Sequence, residues 1–408
     1  MILFVSFISF SQEGTSSPYS FYGLGEMRFK GTAENRAMSG ISVFPDSIHI
    51  NLQNPAFYSQ LKRVTFSLGA SYGSTAMKTN TQEENARRTT LDYLALGIPM
   101  GKFGAAFGLM PYTSVGYKIQ TMPTEELQQI KRFTGSGGLN KAFLGGAYQF
   151  NKNLSLGVEA GYFFGNIETS SIYSIANIQL GTRELNESTA SGIGFVAGLS
   201  YNRKVGKKYE FSASATYTPE STINLSNERA IATIQFSSAD AITPIDEVNV
   251  NVPDTKIKMP SKFSVGAGFG QVRKWLVGTE VTFQQSSNFG NRFQDINDAT
   301  FDDGIRYALG GYYIPNFASF TDYWKRITYR GGFKYEESGL IINTRKIREA
   351  GFSLGVGLPL GGTFSNMNIG FEYGKRGTRD ANLVEENYIN FTLGLSLNDL
   401  WFVKRKYD

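Results

Sequence analysis

The chain has 408 residues, a net charge of +5, one histidine and no cysteine. Counting alone excludes disulfides, thiolate chemistry and a metal centre of histidine and cysteine. The basic residues are scattered rather than clustered, which argues against a nucleic-acid partner. With 45 glycines, 32 phenylalanines and 22 tyrosines against 18% charged residues, the composition points to many strands. A mean hydropathy of −0.23 is compatible with a membrane barrel, because lumen-facing positions dilute the lipid-facing ones.

Residues 1–10 (MILFVSFISF) form an apolar run far too short to span a bilayer as a helix. With Ser9 and Ser11 ahead of Gln12-Glu13, residues 1–11 read as the end of a secretory signal peptide, without its basic n-region. Residues 12–61 have no strand rhythm. They are rich in Gly, Ser, Pro and Asn, yet carry Phe21, Tyr22, Phe29, Phe44, Phe57 and Tyr58. A solvated tail of this length has more charge and fewer rings. The expectation is an irregular hatch segment packed inside a barrel.

From Lys62 the chain reads as fourteen strands, approximately 62–79, 87–100, 103–121, 137–150, 154–176, 188–204, 209–222, 257–271, 275–289, 304–314, 328–343, 346–360, 365–375 and 386–402. The last strand sets Ile389, Phe391, Leu393, Leu395 and Leu397 against Asn390, Thr392, Gly394, Ser396 and Asn398. Such alternation puts apolar side chains on one face and polar or small ones on the other. Trp401-Phe402 and Lys404, Arg405 and Lys406 follow, as where a strand leaves lipid for water. Short links alternate with long polar ones, the pattern of periplasmic turns and outside loops, with two departures, a longer link at 315–327 and a tight one at 343–345. The expected fold is therefore all-β, a 14-stranded antiparallel transmembrane β-barrel over 62–403 with a periplasmic tail at 404–408. An even, closed barrel also leaves no strand edge in lipid.

On the inward face the parity places Glu159, Glu210, Lys262, Glu280, Arg306, Arg330, Lys334 and Glu372. Both signs occur, so a paired polar lumen is expected rather than a selectivity ring. No catalytic constellation is present: His49 stands alone in the irregular segment, without a nucleophile and an orienting acid at recognisable spacing. The spaced glycines of 101–108 and 351–357 lie in strand patterns with no helix after them, so a nucleotide site is excluded. No cofactor is expected.

Pro111 breaks the rules. It falls in mid-strand, where a proline deletes a ladder hydrogen bond and favours a bulge. Gly108, Met110, Pro111 and Tyr112 are accordingly the candidates for a sideways opening in the wall. A bulge absorbed at the membrane interface is the plainer alternative. The link 315–327 is unusually long for a periplasmic turn, and its Tyr323 and Trp324 suit either docking or interfacial anchoring.

These residues resemble a family. A leading segment with Gly23-Leu24-Gly25, ending in Gln53-Asn54-Pro55-Ala56 and running into fourteen strands, is similar to the FadL/TodX outer-membrane proteins. So is the third strand from Lys102-Phe-Gly to Gly116-Tyr117. The resemblance implies a hatch carrying Gly23, Gly25, Asn54, Pro55 and Ala56, and passage of a hydrophobic small molecule through a lateral opening. It places the protein in the outer membrane of a Gram-negative bacterium, with outer-membrane lipid around it. Phe10-Ser11-Gln12, Ser17-Pro18-Tyr19-Ser20 and the run from Asn398 to Lys406 look like Bacteroidetes members. In that group the Plug and PorV type serve a type 9 secretion system, which implies a large secretion-channel protein as the alternative partner.

Overall fold

In a computed structural model, the alternation of the last strand becomes a wall: Ile389, Phe391, Leu393 and Leu397 are exposed outward while Asn390, Thr392, Ser396 and Asn398 are buried. The structure describes residues 14–121, 128–236, 242–290, 299–361 and 364–400. The expected signal peptide, Trp401-Phe402 and the tail lie outside them.

Fourteen strands follow in order. They are β1 (Val64–Lys78), β2 (Glu83–Met100), β3 (Phe103–Pro111 and Thr113–Gln120), β4 (Gln129–Gln149) and β5 (Leu154–Ile175). Next come β6 (Leu180–Val205), β7 (Tyr209–Thr218 and Ser221–Phe236), β8 (Thr255–Met259 and Ser261–Gln271), β9 (Trp275–Gln285) and β10 (Gly304–Tyr313). The last four are β11 (Thr328–Ile342), β12 (Arg345–Pro359), β13 (Asn366–Gly377) and β14 (Glu385–Asp399). Each pairs antiparallel with its neighbours, and β14 closes on β1 from Val64↔Asp399 to Lys78↔Glu385. The result is a closed barrel.

On β5 the outward residues Leu156, Val158, Tyr162 and Phe164 are exposed, whereas Ser155, Glu159, Phe163 and Ile167 are buried. The same division runs round the wall, through Phe263 and Val265, Val277, Leu309, Phe333, and Phe352 and Leu354. An apolar belt of this kind is stable in acyl chains and costly in water.

Beyond the belt the strands run further than their lipid-type alternation. β4 begins at Gln129 and β6 at Leu180, and β7 continues to Phe236 before pairing with an extra strand, Ile242–Val250. Both faces of these extensions are largely polar. A small inward cluster of Ile172, Ala232 and Ile234 supports them instead. Period-two hydrophobicity therefore fades while the ladder goes on.

Candidate functional site

Between β2 and β3 the wall is incomplete. Their ladder runs from Met100↔Phe103 to Leu94↔Leu109 and stops there. Residues 83–93 of β2 pair with β1 alone, while the second half of β3 pairs with β4 on one side. On its other side lies a short strand of the amino-terminal segment, Glu26–Met27, with Glu26↔Ser114 and Met27↔Thr113. Arg28 N–H extends this contact to the Tyr112 carbonyl at 3.0 Å.

The local cause is legible. Pro111 offers no N–H, and from Pro111 to Val115 the chain faces only Asn140 to Gly137, so β3 carries one extra residue. Tyr112 N–H bonds the Leu139 carbonyl at 2.7 Å, which holds β3 to β4 through the kink. Met110 and Tyr112 are buried inward, and Tyr112 meets the Phe163 ring at 4.5 Å between centroids. Gly108 sits lower, in the part of β3 still paired to β2. A second bulge faces the gap from β2: Gly69 pairs with Tyr93 and Ala70 with Leu91, leaving Asp92 unopposed. Asp92 and Tyr93 are both turned inward as a result.

The amino-terminal segment uses these inward groups. Arg28 and Arg36 each lie 3.4 Å from Asp92, and Tyr93 Oη accepts the Ala33 N–H at 3.1 Å. Glu26 accepts from Arg376 of β13 at 2.8 Å and faces Arg88 of β2 at 3.6 Å. Burial alone would raise the Glu26 carboxyl; the guanidiniums of Arg376, Arg88 and Arg28 override that and hold it well below the carboxylate range.

Lower down, Asn54 caps the short helix Pro55–Gln60 by accepting the Ala56 N–H at 3.0 Å, and its amide donates to the Leu199 carbonyl at 3.1 Å. Pro55 and Ala56 press directly on Gly157 and Gly198. A Cβ at Gly157 would fall 2.4 Å from the Pro55 carbonyl carbon, and one at Gly198 would fall 2.1 Å from Asn54 Oδ1. Gly25, with φ of +94°, lets the short strand approach β3: a Cβ there would lie 2.5 Å from the Ser114 carbonyl oxygen. Gly23 is also left-handed, at +60°.

The inward charges are largely spoken for. Glu159 accepts from Tyr58 Oη at 2.6 Å and pairs with Lys141. Glu280 accepts both the Ser42 N–H and its hydroxyl at 2.9 Å. Arg306 donates to the Ser39 carbonyl at 2.6 Å, and Arg330 to Asn368 at 2.9 Å. Lys334 bridges Glu349 and Glu372, each at 2.7 Å. Glu210 shares the inward parity of buried Ser212 and Ser214, and Lys262 lines a cavity inside the barrel. The network is one of paired charges, not a ring of one sign.

His49, which sequence reasoning left without partners, is clasped inside the segment: Nδ1 lies 2.8 Å from Asp46 and Nε2 3.4 Å from Glu34. Burial lowers its pKa, but Asp46 and Glu34 together push it above the ordinary value. Asn368 donates to Glu34 at 2.9 Å, tying this clasp to the wall.

Two environments meet at the break. Toward the long loops lies an apolar cluster of Tyr112, Val115, Tyr117, Leu139, Phe163 and Ile167 with Ile223, Leu225, Ile257 and Met259, closed by Leu24 of the amino-terminal segment. Beside it is a cavity of about 380 Å³ of mixed lining, where Lys30, Lys262, Arg306 and Glu336 meet Met110, Tyr112 and Phe163. Lys30 Nζ stands 3.7 Å over the Tyr112 ring, and burial drives its pKa well down. Tyr323 and Trp324 are far from this region, on a short exposed helix (Tyr323–Arg326) of the β10–β11 turn.

A family model described as BamG matches residues 1–408. No curated protein sequence matches the chain. Among solved structures, the toluene transporter TodX of Pseudomonas putida aligns with a TM-score of 0.60 and 16% identity, over 92% of this chain and 100% of that one. The toluene transporter TbuX of Ralstonia pickettii gives 0.59 and 15%, over 91% and 99%. A FadL homologue of Pseudomonas aeruginosa gives 0.58 and 13%, over 92% and 98%. At these identities the likeness establishes a shared fold.

Proposed function

We propose, from the premise that the chain belongs to the BamG family and shares the FadL/TodX fold, that it is an outer-membrane barrel admitting hydrophobic small molecules sideways into the bilayer. The observation that carries this reading is the unpaired slit between β2 and β3, occupied by Glu26–Met27. The amino-terminal segment acts as the hatch. An apolar solute enters among the loops and follows the apolar cluster past Leu24. It leaves through the slit when the short strand lets go of Thr113 and Ser114. Gly108, Met110, Pro111 and Tyr112 form the lower lip of that exit.

The chain has no cysteine of its own, so a disulfide between Met27→Cys and Thr113→Cys is a clean lock on the proposed gate. Entry of an uncharged fluorescent hydrocarbon into cells carrying the locked barrel should fall about tenfold and recover with reductant. Equal entry in the locked and reduced states would overturn the reading.

A second reading is favoured by the density of bonds that pin the segment to the wall: the barrel is an accessory subunit, docked on a large secretion channel of the type 9 kind. Purification from native membranes in mild detergent separates the two. A stoichiometric large partner supports the subunit, and a lone barrel retaining apolar compounds supports the conduit.

A further inference from the structure

The turns at the short-link face carry an arrangement that the lumen does not need. β6–β7 is turned by Val205-Gly206-Lys207-Lys208, β8–β9 by Val272-Arg273-Lys274, and β10–β11 by residues 315–327, which include Lys325 and Arg326. These turns are successive round the rim, because β7 pairs with β8 and β9 with β10. Against six cations at this part of the rim stands Asp322, which pairs with Lys325 at 2.6 Å.

Apolar rings stand in the same place. Phe320 is 99% exposed, Trp324 73% and Phe317 49%. The long turn leans on the outside of the wall, not over the lumen: Tyr329 Oη, on the lipid-facing side of β11, donates to the Trp324 carbonyl at 3.3 Å. Ile314 N–H bonds the Lys274 carbonyl at 2.7 Å, and the Arg273 guanidinium covers the Phe317 ring at 4.7 Å. Immediately above, Tyr209, Phe269 and Trp275 form a lipid-facing aromatic triad with centroids 5.4 to 6.4 Å apart.

We propose that this rim is a binding surface for anionic phospholipid of the inner leaflet. Phe320 and Trp324 insert among the acyl chains. Lys207, Lys208, Arg273, Lys274 and Arg326 hold the headgroup phosphates. The occupant is argued from continuity with the aromatic girdle above and from charge. Aromatic rings anchor at the headgroup level, and each cation near an anionic surface adds attraction that a zwitterionic lipid does not return. The proposal is independent of whether the barrel conducts.

The test uses the full chain in nanodiscs of equal phosphatidylglycerol and phosphatidylcholine, with bound lipid counted by native mass spectrometry after mild detergent release. Phosphatidylglycerol should be retained at least fivefold over phosphatidylcholine. In nanodiscs of bromine-labelled acyl chains, the emission lost on Trp324→Phe should be the quenched share. The variant Lys207→Gln, Lys208→Gln, Arg273→Gln, Lys274→Gln should bring the retention ratio near one while the barrel keeps its heat-modifiable migration. Equal retention by the unmodified chain overturns the proposal. So does an unquenched Trp324, the result expected of a face reserved for a protein partner. A ratio that survives in a folded variant overturns it as well. Retention by the unmodified chain and the Trp324 quenching decide the matter if the fourfold variant does not fold.

Discussion

Glu26 and Arg376 lie 2.8 Å apart although 350 residues separate them in sequence. Glu26 belongs to the short strand in the slit, and Arg376 to β13, which is separated from β2 round the wall by β14 and β1. The contact therefore holds the occupant of the gap from further round the wall, while Arg88 of β2 holds it from the side. Among the described residues, Glu26→Gln leaves Arg88 without a paired carboxylate and Arg376 with Glu386 and the more distant Glu349. Breaking a buried pair costs about 3–5 kcal/mol, and the retained partner brings the expected loss to about 2–3 kcal/mol. Because the folded pKa is depressed, this stabilisation is present above about pH 4.3 and is lost as pH falls through the folded value. Amide exchange of residues 26–28 should accelerate roughly thirtyfold or more in the variant at pH 7, and the difference should shrink in acid.

The His49 clasp has the opposite pH sense. A histidine raised by Asp46 and Glu34 contributes fully below its unfolded pKa of about 6.5 and loses that contribution as pH rises through the folded value. Asp46, lowered by His49 against the burial that raises it, contributes above about pH 3.9 and loses its part as pH falls through its own folded value. The clasp is thus strongest between about pH 4 and about pH 6.5 and weakens from there to the raised histidine pKa, with Arg330 and Asn368 facing it from the wall. Limited proteolysis of residues 41–61 should quicken in alkali, and His49→Gln should flatten that limb.

Gly198→Val tests how the amino-terminal segment is seated. The new side chain starts 2.1 Å from Asn54 Oδ1, against backbone that cannot retreat without breaking the cap on Pro55–Gln60. Overpacking of this kind costs about 1–3 kcal/mol. The outer belt is untouched, so the barrel should still form, with faster proteolysis of the segment and a lower melting temperature. Tyr58→Phe, which deprives buried Glu159 of a 2.6 Å hydrogen bond, should cost a similar ~1–3 kcal/mol by the same measurement.

Hydrogen exchange along β2 tests the slit itself. Residues 94–97 are paired on both sides, whereas 83–93 are paired only to β1. Alternate amides of 83–93 should exchange orders of magnitude faster than those of 94–97. Uniform protection would mean that another strand occupies the gap.

The wall was legible because lipid on one side and small polar groups on the other impose a strict period of two, as at Ile389 to Leu397. The inward positions of Glu159, Glu280 and Arg330 followed from the same parity. Pro111 was legible because a missing N–H is a local fact. Asp92 was not: a bulge that turns Asp92 and Tyr93 to the same side leaves no mark when its partner, Gly69–Ala70, is unremarkable. His49 was equally hidden, since Glu34 reaches it through the path of an irregular chain and only Asp46 is near in sequence. The extensions of β6 and β7 were missed because water on both faces removes the alternation.

The seam between β1 and β14 joins the first strand of the cylinder to the last. No wall exists to enclose anything until residue 385 onward has arrived, and in the finished barrel Ser17, Glu26, Asn54 and Tyr58 hold partners on β14, β13, β6 and β5. Contacts so distant in sequence make for slow assembly. The leading fifty residues must therefore wait, gathered by an unfinished sheet, and be swaddled as it zips shut; a chain whose seam closes first is left with a hollow tube and its own beginning stranded outside.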